Sequence, residues 1–332
     1  MITPIVFALV NTVLSTCPSL PARSSPPANI RDVRPDDIKV IAAIGDSITA
    51  GFGAKGLADP KQPIDIHNLD EDRGVSWSMG GDDGAITIAN FVKQYNPNVV
   101  GASVGKHIVN ICYGPLCPPF QYKPELDHFN AARSGALAMN LMDEVNWLVA
   151  QMHQSPSVDM VNDYKLLNLF IGSNDDCLGC LPILGKSVLS PDAFEETMRE
   201  VIWELKHQIP KLIVNVHQQF KVSGIETLTK NSQHCATLRA FGFGIECSCA
   251  YQPWPFGDST RRSMDNLVDE YNQRLLNIRQ DYLAENNDNF LLIVDPLFTG
   301  VHLQDWTLDY ISDVDCFHPN VQAHQIMAVG SW

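Results

Sequence analysis

Short runs of aliphatic and β-branched residues recur along this chain, separated by stretches whose apolar residues return every three or four positions. The runs fall at Lys39–Ile44, in a short segment ending at Phe129-Asn130, and at Leu166–Ile171, Leu212–Val216 and Phe290–Val294. Each lacks a clean alternation of apolar and polar residues, as strands buried on both faces do. Helical spacing covers Ala136–His153, Asp192–His207 and Ser263–Glu285. In the last of these, Met264, Leu267, Val268, Tyr271, Leu275, Ile278 and Tyr282 make one amphipathic stripe. Pro191 and Ser263 read as helix starts. Strands alternating with helices predict an α/β, doubly wound, parallel five-stranded sheet with helices on both faces. Gly53 to Gly84 and Ser223 to Arg262 break the alternation and read as long insertions on one domain, residues 38–332.

The segment before that domain has a different character. Met1 to Leu20 carries no charged side chain, Ile5–Val10 continues through Val13-Leu14 as a short apolar core, and Pro21, Pro26 and Pro27 follow. This pattern predicts a secretory signal peptide over residues 1–22 and a linker over 23–37, with a buried first helix as the alternative. No later segment holds ~18 consecutive apolar residues, so no transmembrane anchor is expected. The remaining composition, 45% hydrophobic and 18% charged, is that of a globular chain. A formal net charge of -15 disfavours nucleic acid and anionic membrane surfaces as partners. A lipid partner would have to be met through apolar surface, which the sequence does not locate.

Nine cysteines support the same compartment. With Cys17 inside the expected signal, Cys112, Cys117, Cys177, Cys180, Cys235, Cys247, Cys249 and Cys316 remain, an even set that fits disulfides in a secreted protein. Cys112–Cys117 and Cys177–Cys180 are the expected local pairs, and the others stay open. Cys177-x-x-Cys180 could instead be a redox motif, and His234, Cys235, Cys247 and Cys249 a zinc site, but the contexts and spacing suit neither.

The chemistry gathers where strands end, which is where ligands sit in open α/β sheets. Ile41-Ala42-Ala43-Ile44 runs into Gly45-Asp46-Ser47, placing a serine on the turn from a buried strand into a helix. Asn130-Ala131-Ala132-Arg133-Ser134-Gly135 follows the second run, Gly172-Ser173-Asn174-Asp175 the third, and Asp315-Cys316-Phe317-His318 precedes a last expected helix. A neutral serine needs a base, and His318 can take the Ser47 proton while Asp315 orients the imidazole. The Ser47 and Gly135 N–H groups and the Asn174 amide can stabilise the oxyanion of acyl transfer. Singly, each has a plainer reading: Gly135 as a helix-start glycine, Asn174 as a turn cap, His318 as a surface histidine and Asp315 as a capping carboxylate.

Taken in order, Gly45-Asp46-Ser47, Asn130-x-Ala132-x-x-Gly135, Gly172-x-Asn174-Asp175 and Asp315-x-x-His318 resemble the four blocks of the SGNH (GDSL) hydrolase family. Ser76-Trp77-Ser78-Met79-Gly80-Gly81-Asp82, Gly172-Ser173-Asn174-Asp175-Asp176-Cys177-x-x-Cys180 and Asp315-Cys316-Phe317-His318 narrow the resemblance to its animal phospholipase B-like branch. The resemblance implies the flavodoxin-like SGNH fold, Ser47, Gly135, Asn174 and His318 as the family's four residues, and no metal or other cofactor. It further implies hydrolysis of phospholipid and lysophospholipid acyl esters at a micelle or membrane surface. An esterase for small or acetylated carbohydrate esters is the alternative within the fold. For a metallophosphoesterase the chain lacks an Asp-x-His at the first strand and a histidine directly after Asn174, and a catalytically dead binding protein would not need every catalytic position occupied.

Overall fold

The structure, a computed structural model, describes residues 18–59, 68–118, 121–181 and 187–332. Most of the expected signal peptide, with Cys17, lies outside them. The strands are β1 (Ile38–Gly45), β2 (Asp70–Glu71), β3 (His107–Ile108), β4 (Tyr164–Phe170), β5 (Leu212–His217) and β6 (Phe290–Asp295). The helices that matter below are α1 (Ser47–Ala50), α2 (Ile88–Tyr95), α3 (Leu141–Gln154), α4 (Ser173–Leu178), α5 (Pro191–Gln208), α6 (Gln233–Ala240), α7 (Gly257–Ala284) and α8 (Val321–Ser331).

β1, β4, β5 and β6 form a parallel sheet in that order, with Ile41 opposite Leu166, Leu166 opposite Ile213 and Ile213 opposite Leu291. Both faces are covered. Val40, Ala42 and Ile44 turn to one core with Leu141, Val145 and Leu148 of α3, Met198 of α5 and Tyr271 of α7. Ile41 and Ala43 turn to the other with Trp77, Phe91 of α2, Phe298 and Met327 of α8. Double burial is why the strands read as apolar runs.

The fifth strand is reduced to bridges. Val100 pairs with Val40 and Asn130 with Ala43, both parallel, along the free edge of β1. Gly101 and His128 have φ of 109° and 47°, so neither segment stays extended long enough to form a ladder. Two helix starts also differ from expectation. α3 begins at Leu141 rather than Ala136, after a 3₁₀ turn at Ala138–Asn140, because Leu137 is extended (φ -90°, ψ 164°) and interrupts any helix started before it. α7 starts at Gly257 instead of Ser263, since its first turns are polar and carry no stripe.

The two insertions flank the carboxyl end of the sheet. The first carries β2, antiparallel to β3, and a 3₁₀ turn at Arg73–Val75. The second carries α6, a 3₁₀ turn at Phe243–Ile245 and the entry to α7. Among the described residues no helix is long and apolar enough to cross a membrane.

Candidate active site

Strand β1 ends in a tight turn. Gly45 has φ +150°, and a Cβ there would lie 2.3 Å from the Phe170 carbonyl oxygen, so the position requires glycine. Its N–H donates to the buried Glu144 carboxylate at 2.8 Å. Asp46 caps α1 by accepting from the Ile48 N–H, and Gly51, in the left-handed region, ends the helix after one turn. Ser47 is therefore the first residue of a four-residue helix, and its N–H has no intrahelical acceptor. Burial raises the Asp46 carboxyl to about 7, against the opposing pull of the Ile48 N–H.

The Ser47 hydroxyl lies 2.6 Å from His318 Nε2, and His318 Nδ1 lies 2.5 Å from Asp315 Oδ2. Asp315 Oδ1 accepts the N–H groups of Phe317 and His318 at 2.8 and 3.0 Å. With Nδ1–H directed at the carboxylate, Nε2 is free to accept the serine proton. All three side chains are buried, and Phe52 meets the His318 ring edge-on at 4.8 Å between centroids.

Gly135 and Asn174 face the same cavity as Ser47 and His318, a space of about 430 Å³. Gly135 has φ +84°, and a Cβ would come to 3.0 Å from the Cys112 carbonyl oxygen. Asn174 follows Gly172 in the turn from β4 into α4 and gives one amide hydrogen to the Ala136 carbonyl at 3.0 Å, leaving the other. Asp175, raised to about 7 by burial, braces the far side of the same loop through the Ala138 N–H. Every residue expected from the sequence as nucleophile, base, orienter or oxyanion donor thus meets at one end of the sheet.

The cysteines correct one expectation. Cys112 pairs with Cys117 as expected, but Cys177 pairs with Cys247 and Cys180 with Cys249, not with each other, and Cys235 pairs with Cys316. Cys177 lies in α4 and Cys180 just past its end, and both reach across to the second insertion. With Cys235, Cys247 and Cys249 in disulfides, the alternative zinc set has no thiolate to offer, and His234 Nε2 bonds to the Asp313 carbonyl.

Three groups went unforeseen. Arg73, wholly buried, contacts Glu71 and Asp127 and donates to the carbonyls of Asn130 and Ala132 at 2.8 Å each, while Glu71 accepts from Ser134 Oγ at 2.6 Å. That charge network fixes the loop leading to Gly135. Glu144 occupies the apolar stripe of α3 between Leu141 and Leu148, a pattern break visible in the sequence. Glu246 lines the cavity, and its carboxyl lies within 4.8 Å of ligating atoms of Asp315 and His318; no sequence signal marks it.

The fold is that of the GDSL-type ester hydrolases. The family model described as GDSL-like Lipase/Acylhydrolase matches residues 41–329, and the chain belongs to that family. Among curated proteins it is 29% identical over 331 residues to "Phospholipase B1, membrane-associated" of Rattus norvegicus, covering 96% of this chain and 21% of that protein. The Homo sapiens protein of the same name is 26% identical over 329 residues, 95% of this chain and 20% of its own length. The chain thus spans about one-fifth of the length of these relatives. A solved acetylxylan esterase mutant from Geobacillus stearothermophilus aligns at 18% identity with a TM-score of 0.43, covering 88% of this chain and 92% of that one.

Proposed function

We propose that this chain is a serine ester hydrolase that cleaves the acyl esters of phospholipids and lysophospholipids. The observation that carries the reading is the contact chain Ser47–His318–Asp315 opening onto a cavity with apolar walls. His318 takes the Ser47 proton as the oxygen attacks the ester carbonyl, and Asp315 stabilises the imidazolium that forms. The Ser47 and Gly135 N–H groups and the Asn174 amide hold the oxyanion. His318 then protonates the departing alkoxide, leaving an acyl group on Ser47, and water repeats the sequence to release the fatty acid.

The lipid part of the reading rests on the cavity and its rim. Leu69, Val109, Phe243 and Phe317 are among its walls, and among the described residues the lining includes no lysine or arginine. Ile111, Leu116 and Ile245 reach from the lining into solvent at 55%, 74% and 72% exposure, with Ile108 and Phe241 also exposed. Such a cluster on the mouth of an acidic protein suits a zwitterionic lipid surface better than an anionic one. The four disulfides among the described residues fit secretion.

The test is fatty acid release from phosphatidylcholine and lysophosphatidylcholine, beside a short-chain acetyl ester, for wild type, Ser47→Ala and His318→Ala. Release from both lipids that each substitution lowers by at least about a thousandfold supports the proposal. Cleavage of the acetyl ester alone keeps the mechanism and moves the substrate to small or carbohydrate esters. Wild-type rates in Ser47→Ala would overturn the mechanism.

A further inference from the structure

Apart from its reacting groups, the largely apolar cavity has Tyr113, Ser134, whose hydroxyl is bonded to Glu71, and one acid in its lining. Glu246 is the only carboxylic residue in its lining among the described residues, and one oxygen, Oε2, is shut from solvent without a hydrogen-bond partner. An unmet buried acceptor costs about 1–3 kcal/mol, so its retention calls for a use. Nor is Glu246 loosely held: it follows the 3₁₀ turn Phe243–Ile245, and its neighbour Cys247 is tied to Cys177 in α4.

Its place relative to the reaction gives the use. Ser47, Gly135 and Asn174 set where the carbonyl oxygen sits, whereas the departing alkoxide must come to His318, which protonates it. The alcohol half of the ester therefore lies on the His318 side, and the Glu246 carboxyl is within 4.8 Å of ligating atoms of His318 and Asp315. We propose that Glu246 is a specificity-determining residue that binds the hydroxyl next to the scissile ester on a polyol leaving group. It would thereby favour mono-acyl polyol esters over the same esters lacking that hydroxyl. The inference rests on Ser47 and His318 acting as proposed above.

Burial, with the Asp315 carboxylate beside it, raises the Glu246 carboxyl well above the usual range. A neutral carboxyl both donates to and accepts from a hydroxyl and does not repel a nearby phosphate. A site built to pair a hydroxyl discriminates against its absence far more strongly than apolar fit does.

The experiment compares kcat/KM within each protein for two matched pairs. One is 1-palmitoyl-lysophosphatidylcholine against its 2-O-methyl ether. The other is 1-butyryl-glycerol against 1-butyryl-1,3-propanediol, which demands no phospholipid recognition. Wild type should prefer the free vicinal hydroxyl by roughly tenfold to a hundredfold. Glu246→Leu should bring that ratio close to one, and Glu246→Gln, which keeps an acceptor, should retain most of it. A wild type without preference, or a Glu246→Leu protein with the preference intact, overturns the inference. Cleavage of the glycerol ester with no action on either choline lipid defeats the phospholipase reading, and Glu246 is then judged on the glycerol pair alone. Cleavage of the lipids with an unmoved ratio defeats the inference and leaves the phospholipase reading standing.

Discussion

Two insertions flank the site, and each is fixed by a different kind of force. The first is held by buried charge: Arg73 binds Glu71 and Asp127, and His107 Nε2 meets Asp127 Oδ1 at 2.7 Å. The second is held by covalent bonds: Cys247 and Cys249 are tied to the end of α4, and Cys235 to Cys316, next to Asp315. The first supports the loop carrying Gly135, and the second presents Phe243, Ile245 and Glu246 to the cavity. Positions of functional groups in a small site can thus be set by dielectric arrangement or by chain closure, and the two devices fail under different conditions.

The largest effect is expected from breaking the charge network. Arg73→Met leaves the buried Glu71 and Asp127 without the guanidinium, with His107 still beside them, and the Asn130 and Ala132 carbonyls without their donor. Removing one partner of a buried pair costs about 3–5 kcal/mol, so urea unfolding should show a loss of that order. Because the lost donors hold the Gly135 loop, kcat should fall together with stability. Arg73→Lys should lie between, as a point charge cannot reproduce the guanidinium's fork. An Arg73→Met protein as stable as wild type would show that the network does not secure this side.

The covalent side should answer less strongly, and unequally. Cys235 and Cys316 are 81 residues apart, and replacing both by alanine should cost about 2–4 kcal/mol. Cys316 also sits in the left-handed region at φ 59° beside Asp315, so the activity of this variant should fall too. Replacing Cys180 and Cys249 should cost well under that, because Cys177–Cys247 still closes almost the same loop, with separations of 69 and 70. Equal losses in the two double variants would contradict loop closure as the source of the stability.

What the sequence made legible divides along the same line. Ser47, Gly135, Asn174, Asp315 and His318 could be read as candidates because each stands in a polar segment that follows an expected apolar run or precedes an expected helix. The four long strands were legible for the same reason, while the fifth dissolved into bridges at Val100 and Asn130. The insertions could be delimited but not folded. Nothing near Arg73 in sequence says that Asp127 will face it, and the Cys177-x-x-Cys180 spacing pointed to a local pair that the structure does not form. Both devices are long-range, and periodicity reports only what a segment does to its own neighbours. Glu246 was invisible for that reason: only the disulfide beside it and the fold of α4 bring its carboxyl to His318.

The smallest expected effect separates the two devices by pH. Burial is the largest influence on the His107 pKa and would lower it, but the bond to Asp127, the Glu71 carboxylate and the Ile108 carbonyl together outweigh it, and the net direction is up. A histidine whose folded pKa is raised stabilises fully below its unfolded value, about 6.5, and that contribution is lost as pH rises through the folded value. The first insertion should therefore loosen between neutral and mildly alkaline pH, while the disulfide-held segment should not. Amide exchange can read this locally: the Asp72 and Gly74 N–H groups bond to the carbonyls of Gly51 and Gly105, and Ala236 N–H to Ser232. After correction for intrinsic exchange, the opening free energy at Asp72 and Gly74 should drop from pH 6 to pH 8.5 with that at Ala236 unchanged. His107→Gln should remove the dependence, and a mild reductant should reverse the pattern by loosening α6 first. If both segments respond alike to pH, the division of labour between charge and covalent closure is wrong.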